Sequence, residues 1–96
     1  MKRFRGFHER PYDQALLRDV DWYTLAPCYV ELISLWLTQK HLNIEGVLGK
    51  RYSTDVFPRL VRYKGDLYVE DGHHRLVALA QRNVSIASVR VFTLDG

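Results

Sequence analysis

RLVRYKGDLYVEDGHHRLVALAQR, residues 59–82, holds the three elements that decide the fold. Apolar and polar residues alternate on both sides of Lys64-Gly65, a pattern typical of two strands joined by a tight turn. Glycine suits such a turn because it adopts positive φ at low cost. Beyond Gly72 the apolar spacing changes to steps of three and four, which predicts a helix over residues 73–82. The inward-facing residues of that helix are expected to be Leu76, Leu79 and Ala80.

The segments on either side complete a small domain. Residues 25–41 have apolar side chains at helical spacing and predict a first, amphipathic helix. Residues 13–19 predict a short helical turn, residues 19–22 a short strand, and the β-branched segment 84–92 a closing strand. The order strand, helix, hairpin, helix, strand indicates an α/β (α+β) domain, with a small mixed sheet and helices packed on it.

Two aromatic residues of the predicted first helix test this interpretation. Tyr29 and Trp36 both lie on its apolar face, so we expect them in the core rather than at a base-stacking surface. The long connection that follows contains Lys50 and Arg51, which are candidates for contact with an anionic ligand. An ordinary solvated loop is the alternative for that connection.

Composition limits the class of protein. The chain has 96 residues, 47% of them hydrophobic and 26% charged, which is typical of one globular domain. It lacks an apolar run of the roughly 18 residues that a membrane-spanning helix needs, so we expect no membrane partner. The N-terminus does not resemble a secretory signal. The single cysteine, Cys28, excludes an internal disulfide, and a cytoplasmic location is expected.

Charge divides the chain into a basic N-terminal arm, residues 1–11, and a domain, residues 12–96. The arm carries the whole net charge of +3, because the basic and acidic residues of the remainder balance. Its basic residues are Lys2, Arg3, Arg5 and Arg10. Such an arm predicts contact with a nucleic acid or with a partner protein, or else completion of the fold. Residues 11–39, in contrast, are acidic: Arg18 stands against Asp13, Asp19, Asp21 and Glu31.

The turn EDGHHR, residues 70–75, concentrates ionisable side chains at the start of a predicted helix. The free N–H groups of a helix start carry partial positive charge and bind anions, phosphate above all. Arg75 adds a guanidinium, and His73 and His74 add proton donors or carriers. Glu70 and Asp71 suit Mg²⁺ or a general base. The composition of this turn therefore predicts phosphoryl chemistry.

A structural interpretation of the same turn stays open. Asp71 can cap the helix by accepting hydrogen bonds from its first amides. Arg75 can pair with a neighbouring carboxylate, and one of the two histidines can be a buried, hydrogen-bonded residue. A zinc site is not expected, since no cluster of cysteine and histidine at ligand spacing occurs elsewhere. Haem and iron–sulfur clusters are not expected either.

The sequence YVEDGHHRLVAL, residues 68–79, resembles the signature of the ParB/sulfiredoxin-like superfamily, and especially its small ParB-like nuclease domains. Gly72, His74 and Arg75 match the glycine, histidine and arginine of the sulfiredoxin motif. The resemblance extends from about residue 19 to residue 92 and implies a phosphate-binding turn. His73 stands where sulfiredoxin has its cysteine, so reduction of sulfinic acids is not expected. The helix-turn-helix domain of partition proteins is absent, so that function is not expected either.

Two functions of different classes follow. The first is a phage- or plasmid-type ParB-like domain that binds nucleotide or DNA phosphates and serves as a Mg²⁺-dependent nuclease or NTPase, with Mg²⁺ and ATP or CTP as cofactors. Its phosphate-binding residues would be Gly72, His73, His74, Arg75, Lys50 and Arg51. Its catalytic residues would be Glu70, Asp71, His73 and His74, with Glu70 and Asp71 also holding the metal. The second is a non-catalytic, phage- or plasmid-type interaction protein that uses the basic arm or an exposed face to bind a host protein.

Overall fold

The structure of the protein is a computed structural model that describes residues 3–41 and 57–94. These two ranges contain six strands, one α-helix and three short 3-10 helices. The strands are β1 (Gly6–Phe7), β2 (Cys28–Glu31), β3 (Leu35–Leu37), β4 (Arg59–Tyr63), β5 (Asp66–Asp71) and β6 (Ile86–Leu94), and the helix is α1 (His73–Gln81). The 3-10 helices are Gln14–Leu17, Trp22–Thr24 and Leu32–Ser34.

All six strands belong to one mixed sheet in the order β1-β3-β5-β4-β6-β2. The predicted hairpin is confirmed at its centre, where β4 and β5 pair antiparallel across a turn in which Lys64 and Gly65 both have positive φ. β6 runs parallel to β4 through residues 90–94 and antiparallel to β2 through residues 86–89. The coarse prediction of a small α+β domain with a mixed sheet is therefore confirmed. Among the described residues, α1 is the one α-helix.

Each face of the sheet buries its own apolar cluster. Residues that alternate along a strand point to opposite faces, so the neighbouring core residues Leu60 and Val61 enter different clusters. One cluster lies under α1 and includes the predicted helix residues Leu76 and Ala80, with Leu79 partly buried beside them. The other lies under the two N-terminal 3-10 helices. Its buried members are Tyr12, Leu17, Trp22, Val61 and Tyr68.

The helix predicted over residues 25–41 is wrong. This segment forms β2, a 3-10 turn and β3, because its backbone pairs with β6 on one side and β5 on the other. The turn between the two strands is held by the Ser34 hydroxyl, which donates to the carbonyl of Glu31 at 2.7 Å. Tyr29, predicted in the core, is 80% exposed, whereas Trp36 is partly buried and packs against the second cluster.

Of the shorter predicted elements, two are confirmed and one is wrong. The helical turn predicted over 13–19 is confirmed as Gln14–Leu17, with the Asp13 carboxylate accepting from the Ala15 amide at 3.0 Å. The strand predicted over 19–22 is wrong. That segment leads into the 3-10 helix Trp22–Thr24, because the Asp21 carboxylate accepts from the Tyr23 amide and favours a turn over a strand. The closing strand over 84–92 is confirmed as β6.

The basic arm takes part in the sheet. β1 pairs parallel with β3, and the Arg5 amide donates to the Leu35 carbonyl at 3.0 Å. The arm from residue 3 onward is therefore docked on the domain. Within the ranges 3–41 and 57–94, no helix is long and apolar enough to cross a membrane.

Candidate functional site

Gly72 makes the sharp turn between β5 and α1. Its φ is +95°, a conformation that side-chain-bearing residues rarely adopt. A Cβ added to Gly72 would lie 2.8 Å from Cβ and 2.9 Å from Cα of Pro58, closer than atoms can approach without a shift. Asp71 stabilises the same turn, since its carboxylate accepts from the Gly72 amide at 2.9 Å. Both backbone conformation and packing against Pro58 therefore require glycine here.

The Glu70 carboxylate is used inside the chain. It accepts hydrogen bonds from Arg10 Nε at 2.8 Å, from the Tyr12 hydroxyl at 2.7 Å and from Gln14 Nε2 at 2.6 Å. The side chains of Arg10 and Glu70 are 24% and 12% exposed. Because donors contact both carboxylate oxygens, Glu70 connects the N-terminal segment to β5.

These contacts change the pKa values of two groups. Burial acts against ionisation of Glu70, but the hydrogen bonds from Gln14, Tyr12 and Arg10 outweigh it and hold the pKa of Glu70 below its usual range. Burial, together with the hydrogen bond to the Glu70 carboxylate, raises the pKa of the Tyr12 phenol. Near neutral pH Glu70 is therefore an anion that accepts hydrogen bonds from the N-terminal segment.

His73 is a buried, neutral residue that is 2% exposed. Its Nε2 accepts from the Thr38 amide at 2.9 Å, so the hydrogen-bond pattern assigns the ring proton to Nδ1. The Thr38 hydroxyl donates to the Val69 carbonyl at 2.6 Å and fixes Thr38 in place. Nδ1 has no partner in the described part of the chain. His73 therefore ties the start of α1 to the end of β3.

Burial, together with the nearby charge of Arg10, lowers the pKa of His73 from 6.5 to about 4. The unfolded chain therefore binds a proton at this residue at a higher pH than the folded chain does. We expect full stability above pH 6.5 and a loss of about 2 kcal/mol as the pH falls towards 4. Urea unfolding across this pH range measures how the free energy of unfolding changes with pH. The variant His73→Gln keeps an acceptor for Thr38 but has no titrating ring, so its free energy of unfolding should depend less on pH. An unchanged pH dependence would contradict the lowered pKa of His73.

The remaining residues of the turn lie in the first turn of α1. His74 and Arg75 are both partly buried, and the Arg75 side chain is engaged in an interaction within the protein. Lys50 and Arg51, predicted as phosphate ligands, lie outside the described residues. Among the residues the structure describes, no group of three or more histidine, cysteine, aspartate or glutamate side chains could hold a metal ion.

The guanidinium groups of the arm are directed at the domain itself. Arg3 donates to the Ala80 carbonyl and, at 2.9 Å, to the Asn83 side chain. Arg5 pairs with Asp66 at 2.6 Å, and its guanidinium stacks 4.6 Å above the Trp36 ring. Arg10 holds Glu70, as described above. Lys2 lies outside the described residues, so the predicted arm contributes at least these three cations to the fold.

Sequence reasoning missed Tyr12, Gln14 and Thr38, the partners that give Glu70 and His73 their roles. Each lies more than thirty positions from the residue that it contacts, and no local pattern links them. The signal that could have helped was the unusual polarity of DGHHR beside a buried strand. Such a cluster needs partners from elsewhere in the chain when it is not exposed to solvent.

Comparison with known proteins corrects the assignment to the ParB/sulfiredoxin-like superfamily. A family model described as "Antitoxin VapB-like" matches residues 2–95. No match was found among curated proteins or among solved structures. The match overturns the ParB-like and sulfiredoxin-like assignment and, with it, the nuclease or NTPase function. The individual roles predicted for residues of the 70–75 turn, and the cofactors Mg²⁺ and ATP or CTP, stay untested predictions.

Proposed function

Since the chain belongs to the VapB-like antitoxin family, we propose that it is a non-catalytic antitoxin that binds a protein toxin and suppresses its activity. One observation carries this proposal: the family match covers residues 2–95, nearly the whole of a 96-residue chain. It agrees with the second of the two functions considered for the sequence, a non-catalytic protein that binds another protein. The partner in this proposal is a toxin.

The geometry of the 70–75 turn supports the non-catalytic part of this proposal. Glu70 is occupied by three donors, and His73 is buried with Nε2 accepting from the backbone. Gly72 is required by its φ and by Pro58. Each of these features stabilises the fold, which supports a structural rather than a catalytic role for Glu70, Gly72 and His73.

Co-expression tests the proposal. Proteins encoded beside this chain in its genome are the candidate toxins, and each is expressed from an inducible promoter with and without the chain. We expect one of them to stop growth alone and to be harmless with the chain present, and the two proteins to purify together. His74→Ala, a change within the turn, should leave the protection unchanged.

Two results would contradict the proposal. If no neighbouring protein is toxic, or if the chain fails to protect against one that is, the antitoxin function is wrong. If a folded His74→Ala variant binds the toxin but no longer protects, the turn acts chemically and the non-catalytic part of the proposal is wrong.

A further inference from the structure

β2 is the last strand of the sheet and has an open edge. It pairs with β6 on one side, and none of the described strands lies on its other side. The Leu32 amide donates to the Ser85 carbonyl at 2.9 Å, which fixes the phase of this antiparallel ladder. Because such a ladder alternates, the backbone groups of Val30 point to β6 and those of Tyr29 point away. The N–H and C=O of Tyr29 therefore face the open edge, where none of the described strands lies.

None of the described residues adds a strand to the open edge of β2. Strand edges in other proteins are shielded by shortness, charged side chains, proline, a bulge or a covering segment. β2, with the sequence CYVE, is short and carries Glu31, but it has neither proline nor lysine, and its pairing with β6 is regular over all four residues. The exposed backbone of Tyr29 is complementary to one kind of ligand, the backbone of another extended polypeptide.

Apolar side chains surround this edge. Tyr29 is 80% exposed and Ile86 51% exposed, and the register places them on the same face of the β2–β6 ladder. Ile33 and Val84, also exposed, line an adjoining groove of about 610 Å³ together with Ile86 and Glu31. We call Tyr29, Glu31, Ile33, Val84 and Ile86 the edge surface. Exposed apolar residues that cluster in this way mark interaction sites.

The Glu31 carboxylate of the edge surface favours a partner with a basic side chain. The Glu31 carboxylate lies on the face of Tyr29 and Ile86, is exposed, and forms no ion pair with a described residue. The surrounding segment 11–39 is acidic. Arg90, further along that face of β6, donates to the Leu25 carbonyl and stacks 5.2 Å from the Phe57 ring. Arg3 lines the same groove, but its guanidinium donates to the Ala80 carbonyl and the Asn83 side chain. Glu31 is thus an exposed carboxylate on an apolar surface, without an ion-pair partner among the described residues.

We propose that the toxin docks on the edge surface by adding an extended segment to β2, with apolar side chains against Tyr29 and Ile86 and a lysine or arginine against Glu31. The inference rests on the proposed antitoxin function and adds to it the surface and the chemistry of the bound segment. Backbone hydrogen bonds to Tyr29 supply the geometry, and the apolar and basic side chains supply the selectivity.

Substitutions at Tyr29 distinguish the contribution of its backbone to toxin binding from that of its side chain. Tyr29→Pro removes the outward N–H but no bond to β6, since proline is tolerated where the N–H of an edge strand faces solvent. Tyr29→Thr removes the ring and keeps the N–H. We expect toxin affinity to fall about tenfold for Tyr29→Thr and about 100-fold or more for Tyr29→Pro. Leu16→Thr, another exposed apolar residue that lies outside the edge surface, is the matched control and should bind normally.

Charge reversal and amide exchange complete the test. Glu31→Lys should weaken binding about tenfold or more, because it places like charges together. In wild-type protein the Tyr29 amide should exchange slowly with the toxin bound and rapidly without it, which tests the proposal even if Tyr29→Pro fails to fold. Circular dichroism and thermal unfolding check every variant.

The outcomes distinguish the two proposals. If wild-type protein binds no toxin, the proposed function fails and this inference fails with it. If wild-type protein binds while folded Tyr29→Pro and Glu31→Lys bind equally well, or the Tyr29 amide stays unprotected in the complex, the antitoxin function stands and the edge-surface inference is overturned.

Discussion

Gly72→Ala is expected to lower the free energy of unfolding by about 4 kcal/mol, the largest effect of any single substitution considered. Two costs combine. A residue with a Cβ at φ +95° is strained. The new Cβ would also meet Pro58 at 2.8 Å, which forces the β5–α1 turn or the start of β4 to move. Urea unfolding monitored by circular dichroism measures the loss.

Gly65→Ala is the matched control for that prediction. Gly65 also has positive φ, +86°, but an added Cβ there meets nothing within 4 Å. Its cost should therefore be the conformational part alone, about 1 kcal/mol. Equal effects at the two glycines would show that contact with Pro58 does not constrain the turn, and would reopen the interpretation of Gly72 as a ligand-binding glycine.

Glu70→Ala is expected to lower the free energy of unfolding by about 3 kcal/mol, because it leaves Arg10 and the Tyr12 hydroxyl partly buried without their shared acceptor. The N-terminal segment should also detach from β5 and become sensitive to proteases. Asp66→Ala is the control: it breaks the exposed Arg5–Asp66 pair, whose side chains are 45% and 40% exposed, and should cost about 0.5 kcal/mol.

The Glu70 carboxylate also makes the stability of the fold depend on pH in the acid range. Its pKa is depressed in the folded state, so its contribution is complete above the unfolded pKa of about 4.3 and is lost as the pH falls through the folded value. Unfolding of Glu70→Ala should therefore depend less on pH below about 4 than unfolding of the wild type. Similar acid profiles for the two proteins, or equal losses from Glu70→Ala and Asp66→Ala, would contradict an anchoring role for Glu70.

The sequence predicted the elements whose signals are local. The alternation around Lys64-Gly65 and the helical spacing after Gly72 were sufficient for β4, β5 and α1, because neighbouring residues determine a hairpin and a short amphipathic helix. Asn83, a suitable residue to end the helix, has the left-handed φ of 62°. The 25–41 segment failed because its apolar spacing fits a helix, while β6 and β5 provide backbone partners that no local pattern reveals.

The candidate site shows the same limit in its chemistry. Glu70 and His73 were predicted to take part in phosphoryl chemistry because a sequence shows which groups are near one another along the chain, not which are already hydrogen-bonded. Tyr12 and Gln14 donate to Glu70, and Thr38 donates to His73, from distant positions. The docking candidate was hidden for the opposite reason, since Tyr29 was assigned to a helix core and in fact lies exposed on an edge strand.

Titration of the purified toxin with this chain is the most direct test of non-catalytic neutralisation by binding. We expect toxin activity to fall in proportion to the chain added and to end at a fixed molar ratio, with a stable complex of the same ratio on size-exclusion chromatography. Inactivation of excess toxin by a trace of the chain, with no complex formed, would contradict neutralisation by binding and indicate an enzyme.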